Sequence, residues 1–284
     1  MSMNEREWFT EAFENKTAFS VKYSRKLYES KSAFQKIEVY ETPVMGKVLS
    51  LDGCFMVTEK DSFVYHEMIT HPATAMIKQP QSALVIGGGD GGAITELVKY
   101  PEFKKIILCE IDEGVISACR EFFPEISSGL ADPRVEVVCE DGAAYVKKFQ
   151  QEFDIILVDS TDPVGPGKAL YELDFYNSVK NALRSGGVAN FQTESPFFMA
   201  NVFADTVKNL RSVFGPQSAT PYLCVIPSYP GALWSFTMCS TEPKDFSIAS
   251  CGLSGECVSS LNYYNAQVHI AAFVLPNFVQ KLIS

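Results

Sequence analysis

Carboxylates recur in this chain at one kind of position, just past a run of apolar residues. Asp90 sits inside VIGGGDGGA, Glu110 follows KIILC, Asp141 follows VEVVCE and Asp159 closes FDIILVD. Asp162 follows close behind, in DSTDPVGPGKALY. A glycine-rich turn after an apolar run usually cradles a phosphate through bare backbone N–H groups. An anionic Asp90 in its centre would repel one. Asp159 and Asp162, separated only by Ser160 and Thr161, suit another chemistry: a paired grip on an amine, with one carboxylate placed to take its proton. Pro163, Pro166 and the neighbouring glycines prescribe a shaped loop there rather than a helix.

Glu110 lies twenty residues after Asp90, the usual place for an acid that accepts from ribose hydroxyls. An NAD enzyme would read similarly, except that its pyrophosphate would meet Asp90. Asp141-Gly142 suggests a further polar contact, at an adenine edge. A nucleoside that carries positive charge and no phosphate, S-adenosylmethionine or a relative, fits this set. One or two of the acids could instead be helix N-caps, where Asp is favoured, but four in register are harder to account for that way.

These acids need a scaffold that brings them together. The runs ALVI, IILC and IILV lack a period of two, as expected for strands buried on both faces of a parallel sheet. Helical stretches alternate with them: GGAITELVKY, GVISACREFFPEI and AAYVKKF. LDFYNSVKNALRSGG is expected as a helix ending at Gly186-Gly187, VANFQTE as a strand and FFMANVFADTVKNLRSVFG as a long helix. YLCVIPSY and WSFTMCS then turn β-like. Ahead of these, FQKIEVYET alternates, and Asp52-Gly53 between short apolar runs signals a hairpin. FVYHEMITHPATAMI has helical spacing. The expected fold class is α/β: a doubly wound, methyltransferase-like (Rossmann-like) catalytic domain over 62–284, behind a small N-terminal β-rich domain over 1–61. In such sheets ligands bind outside the carboxyl ends of the strands, where the acids stand.

Composition sets outer bounds. The 284 residues are 46% hydrophobic and 20% charged, an ordinary globular balance. No apolar run is long enough for a membrane span, and the opening MSMNEREWFTEAFENK is unlike a secretory signal; a cytoplasmic protein without a membrane partner is expected. A net charge of −10 argues against nucleic acid and is compatible with a cationic ligand. The eight cysteines form no CxxC pair, and His66, His71 and His269 make no zinc spacing with them, so no metal site is expected. ILCEID and VVCED put their cysteines in apolar company, which reads as buried free thiols.

GGGDGGAITEL, LCEID, EDGAAYV and above all DSTDPVGPGKALYELDFY resemble the spermidine synthase family, the polyamine aminopropyltransferases. FVYHEMITH, IPSYPG and YYNAQVHIAAFVLP fit the same pattern, so the resemblance spans nearly the whole chain. It implies a homodimer, in some members a tetramer. It also implies transfer of an aminopropyl group from decarboxylated S-adenosylmethionine, a co-substrate rather than a cofactor, to putrescine, giving spermidine and 5′-methylthioadenosine. By resemblance Asp159 accepts the proton and Asp162 grips the amine. Asp90 holds the donor's amine, Glu110 the ribose, Asp141 with Gly142 the adenine, and Pro166 walls the methylthioadenosine. Gln35 reaches the nucleoside from the β-domain. Tyr65 and His66 line the amine pocket, with His66 standing where some members carry Gln, and Tyr229 lies at the far end of the diamine. Trp234 is read as packing.

Three other readings compete. An aminopropyltransferase with another acceptor (spermidine, cadaverine or agmatine) would differ in pocket length. An S-adenosylmethionine methyltransferase is opposed by Asp90 and the paired acids. A non-catalytic polyamine-binding protein is opposed by the intact acid set.

Overall fold

The computed structural model describes residues 7–13, 17–161, 165–249 and 260–284. Its centre is a seven-stranded sheet in which β7 (Ser82–Gly87), β8 (Lys105–Cys109), β9 (Val135–Val138), β10 (Phe153–Asp159) and β11 (Leu183–Gln192) run parallel. β12 (Ala219–Val225) and β13 (Leu233–Ser240) add an antiparallel edge, giving the order β12-β13-β11-β10-β7-β8-β9. The chain is therefore α/β and doubly wound. Strand order reverses between β7 and β10, whose ends are in register at Gly87 and Asp159. A crevice at that switch point is where such sheets take ligands.

The apolar runs have a period of two after all, hidden because both faces are covered. Ala83, Val85, Ile106, Leu108, Ile155 and Leu157 enter one core. Leu84, Ile86, Ile107, Cys109, Ile156 and Val158 enter the other. The first face is covered by α1 (Ser62–Thr74) and α2 (Gly92–Leu97), the second by the short α4 (Gly142–Tyr145), α5 (Leu173–Ala182) and α6 (Ala200–Phe214). Helix α1 is buried almost all round and carries Pro72 in its interior. Proline cannot donate to the carbonyl of Met68, four residues back. The Tyr222 hydroxyl donates to that oxygen instead, at 2.6 Å, while accepting from Asn190 Nδ2 at 2.6 Å.

Before α1 lies an antiparallel sheet of β3 (Arg25–Lys31), β4 (Lys36–Thr42), β5 (Gly46–Leu51) and β6 (Cys54–Thr58). Asp52 and Gly53 both have positive φ at the β5–β6 turn, as the hairpin reading requires. Ile37, Val39, Leu49 and Val57 pack this sheet onto Val115, Ala118 and Cys119 of α3 (Glu113–Phe122). Its other face is covered by a hairpin, β1 (Trp8–Phe13) and β2 (Thr17–Lys22), through Phe9 and Phe19. The sequence pattern did not indicate that hairpin.

Other expectations need correcting. Helix α5 stops at Ala182, not at the glycine pair, because Leu183 already pairs with Phe153. Gly186 and Gly187 lie inside β11, where φ at Gly186 is +71° and a Cβ on Gly187 would meet three carbonyl oxygens, at 2.9–3.2 Å. They serve a strand irregularity rather than a helix end. Helix α6 starts at Ala200, so Phe197 and Phe198 precede it. Cys109, Cys119, Cys224 and Cys239 are buried free thiols, as read, but Cys139 is exposed, since β9 is the sheet's edge strand. Cys251 and Cys257 lie outside the described residues. No helix among the described residues is long and apolar enough to cross a membrane.

Candidate active site

The four strand-end acids do converge. Asp90, Glu110, Asp141 and Asp159 line one cavity of about 180 Å³, together with Gln35, Tyr65, His66, Gly142 and Tyr229. Asp162 lies outside the described residues, as does the side chain of Pro166, whose backbone falls in a 3-10 segment, Gly165–Tyr171.

Asp159 ends β10 against the glycine loop. Its Oδ1 accepts from the Tyr65 hydroxyl at 2.5 Å. Among the described residues its buried Oδ2 accepts no hydrogen bond. Burial, then the nearby charge of Asp90, push the Asp159 carboxyl from 3.8 up to about 7, although Tyr65 and His66 work in the opposite direction. A carboxylate with a free buried oxygen and a pKa near neutrality is suited to receive a proton. Burial first, then Asp159, hold the Tyr65 phenol well above its ordinary range, so it stays a donor.

The glycines earn a different explanation from the one expected. A Cβ on Gly88 would stand 2.6 Å from Asp159 Oδ2, and one on Gly89 would stand 2.8 Å from Glu110 Cγ. A Cβ on Gly92 would fall 2.2–2.4 Å from three atoms of the His66 ring. Each missing side chain makes room for a functional group of the protein itself, and Gly87, Gly88 and Gly91 also have positive φ, which glycine adopts without penalty.

His66 projects from α1, is buried, and brings Nε2 to 3.1 Å from Asp90 Oδ1. The same oxygen accepts from the Gly92 backbone N–H at 2.6 Å. Burial alone would raise the Asp90 pKa, but His66 and that N–H lower it overall. Burial likewise disfavours the charged imidazole, yet Asp90, helped by Asp159 and Glu96, raises the His66 pKa. Glu110 accepts from the N–H groups of Gly89 at 3.1 Å and Asp112 at 2.9 Å. Burial pushes its carboxyl up to about 7, against those two backbone bonds.

Asp141 stands both at a helix start and on the cavity wall. As an N-cap it accepts from Ala143 N at 2.8 Å. Gln35 reaches across from the β-sheet and donates to Asp112 Oδ2 at 2.9 Å; Ser32 does the same at 2.7 Å. Asp112 caps α3, so the cap ties the two sheets together at the cavity's edge. Tyr229 donates to the Met56 carbonyl at 3.0 Å and packs against Tyr65, ring centres 5.9 Å apart. Trp234 packs edge-on to Tyr229 at 4.7 Å, as read, and it also faces the cavity.

Three further acids on the wall, Glu11, Asp61 and Glu194, were not singled out from the sequence. Glu194 is buried at a positive φ of 67°, and accepts from Gln192 at 2.8 Å and Tyr171 at 3.1 Å. It follows strand β11, so the rule that found the other four applied to VANFQTE as well. Asp61 accepts from Ser228 N at 2.7 Å and Thr58 Oγ1 at 2.6 Å. Its separation of 167 residues from Ser228 left no local signal.

Comparison with known proteins places the chain in a family. Residues 62–248 match the model of the spermine/spermidine synthase domain, and residues 7–59 that of the spermidine synthase tetramerisation domain. A polyamine aminopropyltransferase of Thermoanaerobacter sp. (strain X514) is 41% identical over 277 residues, covering 97% of this chain and 98% of that protein. One from Thermotoga petrophila is 41% identical over 283 residues, covering 96% and 93%. A crystal structure of a spermidine synthase in complex with the transition state analogue AdoDATO superposes with a TM-score of 0.92 at 39% identity, covering 97% of this chain and 94% of that one. The spermidine synthase of Thermotoga maritima gives 0.90, also at 39%, with the same coverage. The chain belongs to the spermine/spermidine synthase family and is a polyamine aminopropyltransferase.

Proposed function

We propose that this aminopropyltransferase is a spermidine synthase, moving the aminopropyl group of decarboxylated S-adenosylmethionine onto putrescine and releasing 5′-methylthioadenosine. The observation that carries the reading is Asp159: a buried carboxyl raised to about 7, one oxygen fixed by Tyr65 and the other without a partner among the described residues. The leaving group is a sulfonium, whose departure neutralises a charge and requires no acid. The nucleophile is an amine that is protonated near neutral pH and must lose a proton before its lone pair can attack the carbon next to sulfur. Asp159 Oδ2 takes that proton, and the freed lone pair then forms the new C–N bond as the C–S bond breaks.

Asp90 holds the donor's ammonium, where an intact S-adenosylmethionine would bring a repelled carboxylate. Glu110 takes the ribose hydroxyls, while Asp141 and Gly142 meet the adenine, with Gln35 and Pro166 beside the nucleoside. Asp162 grips the attacking amine. Tyr65, His66 and Tyr229 line the acceptor's path. The donor supplies its own leaving group, so no resident cofactor or metal is assigned to the reaction. Holding two substrates in line contributes roughly 7–11 kcal/mol when reacting atoms are well oriented. Desolvated acids on the walls offset the mutual repulsion of two cationic substrates. That a related spermidine synthase forms a complex with the transition state analogue AdoDATO supports the same class of reaction here. The match of residues 7–59 to a tetramerisation domain supports assembly of several copies; light scattering distinguishes the homodimer from a tetramer.

The test is to incubate the enzyme with decarboxylated donor and a panel of amines, and to read products by mass. Spermidine from putrescine as the dominant product supports the assignment. Preferential use of spermidine, cadaverine or agmatine would replace the acceptor, and methyl transfer would overturn the reading.

A further inference from the structure

Among the described residues, seven acids line the cavity: Glu11, Asp61, Asp90, Glu110, Asp141, Asp159 and Glu194. Among the described residues that line it there is no lysine or arginine, and His66 is the one side chain able to carry positive charge. Its Nε2 stands 3.1 Å from Asp90 Oδ1, against the carboxylate that the proposed function assigns to the donor's ammonium. The ring has little freedom to leave. It is 4% exposed, lies edge-on to Tyr65 with centres 5.7 Å apart, and is wedged over Gly92 where even a methyl group would not fit.

We propose that His66 is a resident counter-ion for Asp90, an imidazolium in the free enzyme that gives up its Nε2 proton to solvent when the donor's ammonium arrives. The inference rests on the donor assignment above and adds to it a proton that must leave before two cations can share one buried carboxylate. Asp90, Asp159 and Glu96 face the ring from the β7–α2 loop, β10 and α2, and together they outweigh burial and favour the charged form. Glu96 is itself paired with His71 at 2.8 Å and Lys99 at 2.5 Å, so its charge is largely spent. Tyr65 is held neutral. An ammonium at Asp90 reverses the balance, since Asp90 no longer offers His66 an unshared charge and a like charge sits beside the ring. Because the ring cannot swing away, relief comes through deprotonation. Donor affinity therefore rises with pH across the range in which free His66 titrates.

The experiment is calorimetric titration of the full-length enzyme with decarboxylated S-adenosylmethionine at pH 7, in buffers of different ionisation enthalpy. Asp159 and Glu110 can also lose protons to a cationic ligand, so His66→Gln, which keeps a donor beside Asp90, is titrated in parallel. The wild type should release more than the variant by roughly half to one proton per donor bound. 5′-Methylthioadenosine, which has neither the amine nor the sulfonium, should give no such difference. The chain has three histidines, so imidazole carbon and nitrogen shifts of the wild type read the same event even if the variant folds poorly. The His66 signal should move from imidazolium to neutral imidazole on donor addition, while His71 and His269 stay fixed. Equal proton release by both proteins, or an imidazolium that persists in the complex, would overturn the inference with the donor assignment intact. Failure of the donor to bind at all would overturn both.

Discussion

Replacing Asp159 by Asn should make this enzyme more stable and nearly inactive. The amide keeps the shape of the carboxylate and can still accept the Tyr65 hydroxyl at Oδ1. What it lacks is the ability to take a proton. General bases contribute about 10²–10⁴-fold to such reactions, and turnover should fall within that range while both substrates still bind. The stability effect has the opposite sign. Burial and Asp90 raise the folded-state pKa of Asp159 from 3.8 to about 7. An acid raised in this way costs no stability of its own below about pH 4 and destabilises the protein progressively as pH climbs towards 7, because the unfolded chain ionises first. Three pKa units at 1.36 kcal/mol each bound the loss at about 4 kcal/mol above pH 7. Urea unfolding of wild type and variant should coincide near pH 4 and diverge towards pH 8, the variant being the more stable by several kcal/mol. Steady-state product formation, followed by mass, gives the other half. A variant that retains turnover within a few-fold of wild type would refute Asp159 as the base. One that is no more stable at pH 8 would refute the claim that its charge is costly to bury.

Tyr65→Phe removes a hydrogen bond that lowers the Asp159 pKa, so the acid limb of the kcat/KM profile should move to higher pH; an unmoved limb counts against the contact. Gly92→Ala drives a methyl group into the His66 ring and should raise KM for the donor by tenfold or more, with a smaller effect on the acceptor's, as initial rates would reveal. Tyr222→Phe strips the Met68 carbonyl of its hydroxyl donor and leaves the Asn190 amide only its bond to the Ile69 carbonyl. It should destabilise the fold by about 1–3 kcal/mol in chemical denaturation, without moving either KM much, because the network lies behind the cavity wall.

Much of this site was legible before folding because it is periodic. Strands covered on both faces must be apolar throughout, so ALVI, IILC and IILV marked themselves, and an acid straight after each was bound to reach the same sheet edge. The paired acids of DSTDP and the odd carboxylate in GGGDGG gave the chemistry, since side-chain charge is fixed by residue type and not by contacts. Position along the chain could not give partnership. That Asp159 rests on Tyr65, ninety-four residues away, and Asp61 on Ser228 depends on how the layers stack. The glycines illustrate the same division. Their number announced a close approach, but only the packed structure decided that His66, Asp159 and Glu110 are what approach. The β1–β2 hairpin and the early end of α5 were hidden for a related reason: sheet pairing there overrode local pattern, as Leu183 pairing with Phe153 shows. Which oxygens are occupied, which is free, and how far burial moves each carboxyl are long-range quantities, and the tertiary structure alone sets them.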